Sequence, residues 1–187
     1  VEELKFDLIA QLEDMDKEDD VIIVIDSIGN LASKKELEDA KNEKSVADMS
    51  RAKALKGLFR MTTPYLAMKN IPLLAINHTY KEIGLYPKDI VGGGTGIYYS
   101  ANNIWIIGRR QNKTGTEVMG YDFVIKVEKS RFVKEQSKIP ITVSWEGGID
   151  EMSGLLDVAM ASGDVVKPSN GWYQKVGEEK KYRLADL

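Results

Sequence analysis

The chain has 187 residues, 43% hydrophobic and 29% charged, the composition of a folded globular domain, which excludes a disordered segment. Its 26 Lys and Arg against 29 Asp and Glu give a net charge of −3, so there is no whole-protein basic field and any nucleic-acid contact must come from locally placed cations. The absence of Cys excludes disulfide and thiol chemistry and suits a reducing cytoplasm, and no apolar run approaches the roughly 20 residues of a membrane span.

The chain opens on Val1, already in an amphipathic pattern, as an excised piece of a longer protein would. Leu4, Leu8, Leu12 and Met15 recur every three or four residues and predict one helix over residues 1–15. After the charged break Asp16 to Asp20 come five β-branched residues, Val21 to Ile25, then Asp26, Ser27, Ile28 and Gly29. A run apolar on both faces and closed by a carboxylate predicts a buried parallel strand that delivers an acid to the C-terminal edge of its sheet, where open α/β sheets bind ligands. Nucleotide phosphate chemistry wants such an acid, to hold Mg²⁺ beside the β- and γ-phosphates. An Asp that caps the following segment fits this stretch alone equally well. Leu31 to Lys44 sets four Lys against four acids with little apolar periodicity and predicts a solvated loop.

Ser45, with Asp48 three positions on, predicts the cap of a second helix, whose apolar side is Val46, Met49, Leu55, Leu58, Phe59 and Leu66 and which Pro64 should kink or break. Lys53, Lys56 and Arg60 share one face of it, by default a solvated one. Ile71 to Ile76 predicts a second buried strand, with Pro72 at its start and Asn77 and His78 at its end. Thr79 to Gly92 has no clear period and predicts a long loop, closed by Gly92, Gly93, Gly94, Thr95 and Gly96, whose backbone is free to approach a ligand. Strands are predicted over Ile104 to Ile107, leading to Arg109 and Arg110, and near a sheet edge over Tyr121 to Lys129 and Ile139 to Trp145. A short helix, Leu155 to Ala161, is stopped by Gly163, and a terminal hairpin runs through Gly177. One domain results, with a core over residues 1–163 and a C-terminal hairpin or start of a further region over residues 164–187.

Two strands thus end in polar groups, Asp26 with Ser27 and Asn77 with His78; as neighbours they would face one crevice. His78 reads either as a satisfied structural residue or, given the apolar strand before it and the long loop after it, as a sensor of bound phosphate. Lys129 and Arg131, two apart in a strand, point to one face and could clamp a phosphate or simply form a solvated edge pair.

The order VIIVIDSIGN, LLAINHT, GGGTGIYYSAN, IIGRRQ, VEKSR and GGID…SGLLD…NGWY resembles the second half of the RecA recombinase core, across essentially the whole chain, and within that family the UvsX branch of T4-like bacteriophages. The resemblance implies an α/β fold, a partial RecA-like P-loop NTPase core with a mainly parallel sheet and antiparallel edge strands, lacking the N-terminal Walker A half. It implies ATP and Mg²⁺ as cofactors and a catalytic set of Asp26, His78, Lys129 and Arg131. Asp26 is then the Walker B acid at the metal, with Ser27 beside it. Asn77 and His78 stand where RecA has Asn-Gln, a departure at His78 that resembles the phage branch. Lys129 and Arg131 reach a neighbouring protomer's nucleotide, and Trp145 lies near the adenine. Residues 34–44 and 79–92 resemble the two DNA-binding loops; Lys53, Arg60, Gly92, Gly93, Gly94 and Thr95 face DNA, with Arg109 and Arg110 at a second DNA site.

The expected partners are single- and double-stranded DNA and further copies in a filament, with no membrane, in the cytoplasm of a bacterial host for a phage protein. No GxxxxGK[ST] phosphate loop occurs, and the family's catalytic glutamate, carried on an earlier strand, lies outside the chain. The expectation is therefore a DNA-dependent ATPase in full length and an inactive fragment. A RecA-fold hexameric helicase motor and a non-catalytic DNA-binding or assembly module stay open as alternatives.

Overall fold

The computed structural model describes residues 1–43 and 49–183, divided into two compact units, Val1–Asn102 and Asn103–Leu187. The fold is mixed α/β. Among the described residues one strand pair is parallel and the remaining pairings are antiparallel, where a mainly parallel sheet is expected. The two apolar runs that signal parallel strands, Val21 to Ile25 and Ile71 to Ile76, are the two that pair that way; the later strands are joined by short turns that bring them back antiparallel.

In the first unit, helix α1 spans Glu2–Asp14 and buries Leu8 and Leu12, as its period dictates. Strand β1, Ile23–Ile25, is followed by a 3₁₀ turn, Ile28–Asn30. Lys34–Lys41 forms helix α2, where a loop is expected. The apolar period cannot reveal this helix because none of its residues is buried; Ser33 starts it, accepting from Glu36 N–H at 3.2 Å while Glu36 accepts from Ser33 N–H at 2.6 Å. The Ser45 and Asp48 cap lies outside the described residues. Helix α3, Ser50–Lys69, runs on through Pro64 instead of breaking there. Thr62 and Thr63 return hydroxyl hydrogen bonds to the carbonyls of Leu58 and Phe59, at 3.0 and 2.6 Å, in the turn that loses an N–H to proline.

Strand β2, Leu73–Ala75, lies parallel to β1, with Ile25 opposite Ala75. Strands β3, Thr79–Lys81, and β4, Asp89–Val91, close an antiparallel hairpin, where a long loop is expected. Strands of three residues are too short to display a period of two. Helix α4, Thr95–Ser100, ends the unit. Its core joins Leu8, Ile25, Ile28, Leu55, Leu58, Phe59 and Ile97. The β1–β2 pair is buried on that side only: Ile22 is 61% exposed and Val24 56%, so the double-sided burial expected of β1 is one-sided here.

The second unit is a four-stranded antiparallel sheet in the order β5 (Asn103–Thr114), β6 (Glu117–Ser130), β7 (Lys138–Ser144) and β8 (Gly148–Ile149). Strands β6 and β7, expected near a sheet edge, are its two inner strands, each next to an edge strand. Helix α5, Leu155–Ser162, stops at Gly163, and β9 (Val165–Ser169), β10 (Trp172–Lys175) and β11 (Lys181–Arg183) form a second small sheet. No described helix is long and apolar enough to cross a membrane.

Candidate functional site

The parallel register brings the ends of β1 and β2 side by side. Ile76 N–H donates to the Ile25 carbonyl and Ile28 N–H to the Ile76 carbonyl, both at 2.9 Å, so Asp26 and Ser27 emerge beside Asn77 and His78. Asp26 is exposed, and the Ser27 hydroxyl next to it is buried with no hydrogen-bond partner. The imidazole of His78 lies so close to Gly29 that a Cβ there would stand 2.5 Å from its Cδ2. Asn77 Oδ1 accepts from His78 N–H at 2.9 Å, and Asn77 Nδ2 donates to the Gly92 carbonyl at 2.7 Å. Gly92 N–H in turn donates to the His78 carbonyl at 3.0 Å. Both ends of the β3–β4 hairpin are thereby fixed to the residues that end β2.

The hairpin is zipped by Lys81 and Asp89, 2.7 Å apart, and carries an apolar tip, with Ile83 101% and Leu85 94% exposed. The glycine run behind it is filled on its Cβ side at Gly93 and Gly96. At Gly93, φ is +88° and a Cβ would collide with Ile97 Cδ1, and at Gly96 it would meet the Lys56 stem at 2.7 Å. These glycines let α4 sit directly on α3. Between the two helices is a groove of about 370 Å³ lined by Lys56, Arg60, Pro64, Tyr99 and Ser100 among others. Lys53, Lys56 and Arg60 are all exposed on α3, and none pairs with a described acid.

Sequence reasoning misses Arg51. It donates from Nη2 to the carbonyls of Ile28 at 3.0 Å and Gly29 at 2.5 Å, and from Nε to that of Leu31 at 2.9 Å. The available signal is its phase: Arg51, Leu55, Leu58 and Thr62 form one helical stripe, and a cation on a buried stripe must find acceptors.

The other candidates lie in the second unit. Arg109 stacks over the Tyr121 ring at 4.7 Å, and Arg110 pairs with Asp122 at 3.2 Å. Trp145 donates its indole N–H to the Val118 carbonyl at 3.0 Å and meets Tyr121 edge-on at 5.4 Å. Lys129 lies within β6 opposite Ile104, whereas Arg131 falls just past the strand's end, so strand alternation does not place the two on a common face.

Asp26 and the Ser27 hydroxyl suit part of a magnesium–nucleotide site: one carboxylate and an orphaned buried oxygen, for an ion that completes its shell with water and phosphate oxygens. No cluster of three or more His, Asp or Glu gathers among the described residues, so these offer no metal cage of their own.

Residues 152–187 match the family described as Bacteriophage T4, Recombination and repair protein, C-terminal domain. Over 196 aligned residues the chain is 52% identical to the recombination and repair protein of Enterobacteria phage T4, covering all of this chain and 50% of that protein. Over its whole length the chain is similar to this recombination and repair protein. RecA of Syntrophus aciditrophicus is 27% identical over 84% of the chain and 46% of its own length, and RecA of Mycoplasma mycoides 24% over 85% and 47%. The chain spans about half the length of the curated relatives it matches.

Proposed function

We propose that the chain is the second part of the ATPase core of an ATP-dependent DNA recombinase, which in full length polymerises on single-stranded DNA and pairs it with a homologous duplex in the cytoplasm of a bacterial host. The observation that carries this reading is the strand-end arrangement: Asp26 and Ser27 beside Asn77 and His78, with Gly92 bonded to both residues of the second pair. Mg²⁺–ATP bound there supplies phosphoryl-transfer energy and a γ-phosphate whose presence can be sensed. Asp26 would face the metal, through water, with Ser27 beside it, and His78 would report on the phosphate.

The report travels along two hydrogen bonds. Gly92 closes the hairpin and is held by the Asn77 amide and the His78 carbonyl, so a shift at His78 moves the base of the hairpin. Gly93, Gly94 and Thr95 follow directly, and Lys53 and Arg60 stand on the helix against which this segment packs. In this reading these groups hold the DNA backbone, Arg109 and Arg110 serve a second strand, and Lys129, Arg131 and Trp145 act at nucleotide between protomers. The exposed side of β1, with Ile22 and Val24, is a surface that a further layer of a longer protein would cover.

The test is His78→Ala in the full-length protein, with single-stranded DNA affinity measured with and without ATP. The expected outcome is DNA binding that no longer responds to nucleotide; an undiminished response rejects the sensor. The chain by itself, with no phosphate loop, should release no phosphate from ATP above background.

A further inference from the structure

We propose that Arg51 is a positioning residue that couples the strand-end site directly to α3, a second route to the DNA-facing cations besides the hairpin. The inference rests on the function proposed above and extends it to a residue outside the assigned set.

One guanidinium takes three backbone carbonyls, those of Ile28, Gly29 and Leu31, from a turn 20 to 23 residues earlier in the chain. That turn follows Ser27 immediately and is tied to β2 by the Ile28–Ile76 hydrogen bond. Gly29, whose carbonyl Arg51 holds, is the residue pressed against the His78 ring. Any movement of His78 or of the Asp26–Ser27 segment therefore displaces the acceptors of Arg51. Arg51 lies in the first turn of α3, two residues before Lys53 and nine before Arg60. The planar fork has five donors in fixed geometry and no acceptor, which suits three carbonyls spread along a turn; a lysine ammonium is a point donor and cannot span them. Because coupling is reciprocal, DNA held at α3 tightens the strand-end site through the same contacts.

The experiment measures single-stranded DNA affinity with and without ATP in the full-length protein, for the wild type, Arg51→Met and Arg51→Lys. Amide hydrogen exchange at Asn30 and Leu31, whose N–H groups close the turn, is read in each. Couplings between sites are typically on the order of 5- to 150-fold. The expected result is a nucleotide-dependent gain in that range for the wild type that falls toward unity in both variants, with nucleotide-free DNA affinity unchanged and faster exchange at Asn30 and Leu31. Methionine keeps the aliphatic stem and lysine keeps the charge, so packing or charge alone would preserve the gain in one of them. A gain retained in either variant overturns the role of Arg51 while leaving the proposed function standing. A wild type with no gain rejects the proposed function and this inference with it.

Discussion

The imidazole of His78 rests on Gly29, with no room between them for even one methyl group. Gly29 lies in the turn that directly follows Asp26 and Ser27, so the polar ends of the two parallel strands are in mechanical contact as well as in register. Gly29→Ala should force the ring aside, since the added Cβ would stand 2.5 Å from Cδ2. Overpacking of this kind costs about 1–3 kcal/mol. Urea denaturation of the chain measures that loss, and the His78 ring proton resonances should shift with it. Wild-type stability together with unmoved resonances would show that the packing there is slack.

Glycines that look alike in the sequence should respond in opposite ways. Gly93 has φ +88° and its Cβ would strike Ile97 and Leu55, two core residues, so Gly93→Ala should destabilise by more than the roughly 1 kcal/mol of an ordinary glycine replacement. Gly84, at the hairpin tip, has nothing within 4 Å and no left-handed φ. There Ala should be neutral, or stabilising by about 0.4–1 kcal/mol through a less flexible unfolded chain. Equal losses at both positions would mean that α4 does not pack on α3 through the glycine run.

This contrast marks what the residues can disclose. Patterns that report burial are legible: the α1 stripe, the two apolar runs and their polar ends, and the alternation in β6 and β7. Helix α2 buries no side chain and depends on a local capping exchange between Ser33 and Glu36, which apolar periodicity does not register. The β1–β2 pair reads as buried on both faces because Ile22 and Val24 are as apolar as Ile23 and Ile25; composition does not say which side meets a neighbour. Glycine tolerates both a ligand and a helix at close range, so the run from Gly92 does not disclose that side chains of α3 and α4 fill its Cβ side at Gly93 and Gly96. Arg51 escapes notice because a cation among cations looks solvated until its place on the Leu55 stripe is recognised.

Lys53 and Arg60 give the DNA proposal its electrostatic test. Both are exposed and neither has an acidic partner among the described residues, so their charge is available to phosphate. Removing one cation that neutralises a phosphate should flatten the slope of log affinity against log salt by about 1. Lys53→Ala and Arg60→Ala should each do so in the full-length protein, weakening binding alike across DNA sequences. Unchanged slopes would remove these two residues from the interface.

A final expectation concerns alkaline pH and the packing of α1 on α3. Tyr65 donates its hydroxyl to the Glu13 carboxylate at 3.0 Å, and this hydrogen bond, followed by the Glu13 charge, raises the phenol above its ordinary pKa of 10.0. The folded protein therefore favours the protonated phenol. Stability from this hydrogen bond is fully present below the ordinary tyrosine pKa and is lost as pH rises through the raised one. Glu13→Gln removes the carboxylate charge, so Tyr65 should ionise at lower pH than in the wild type, and the alkaline fall in stability, which starts from the ordinary tyrosine pKa in both, should be smaller and complete at lower pH. Phenolate absorbance, with Tyr65→Phe subtracted to isolate one ring among eight tyrosines, reads the shift directly. Lys69 reaches past the same carboxylate to the backbone carbonyls of Glu13 and Met15, interactions that Gln leaves untouched. A titration identical in wild type and Glu13→Gln would thus place the cause elsewhere than in this hydrogen bond.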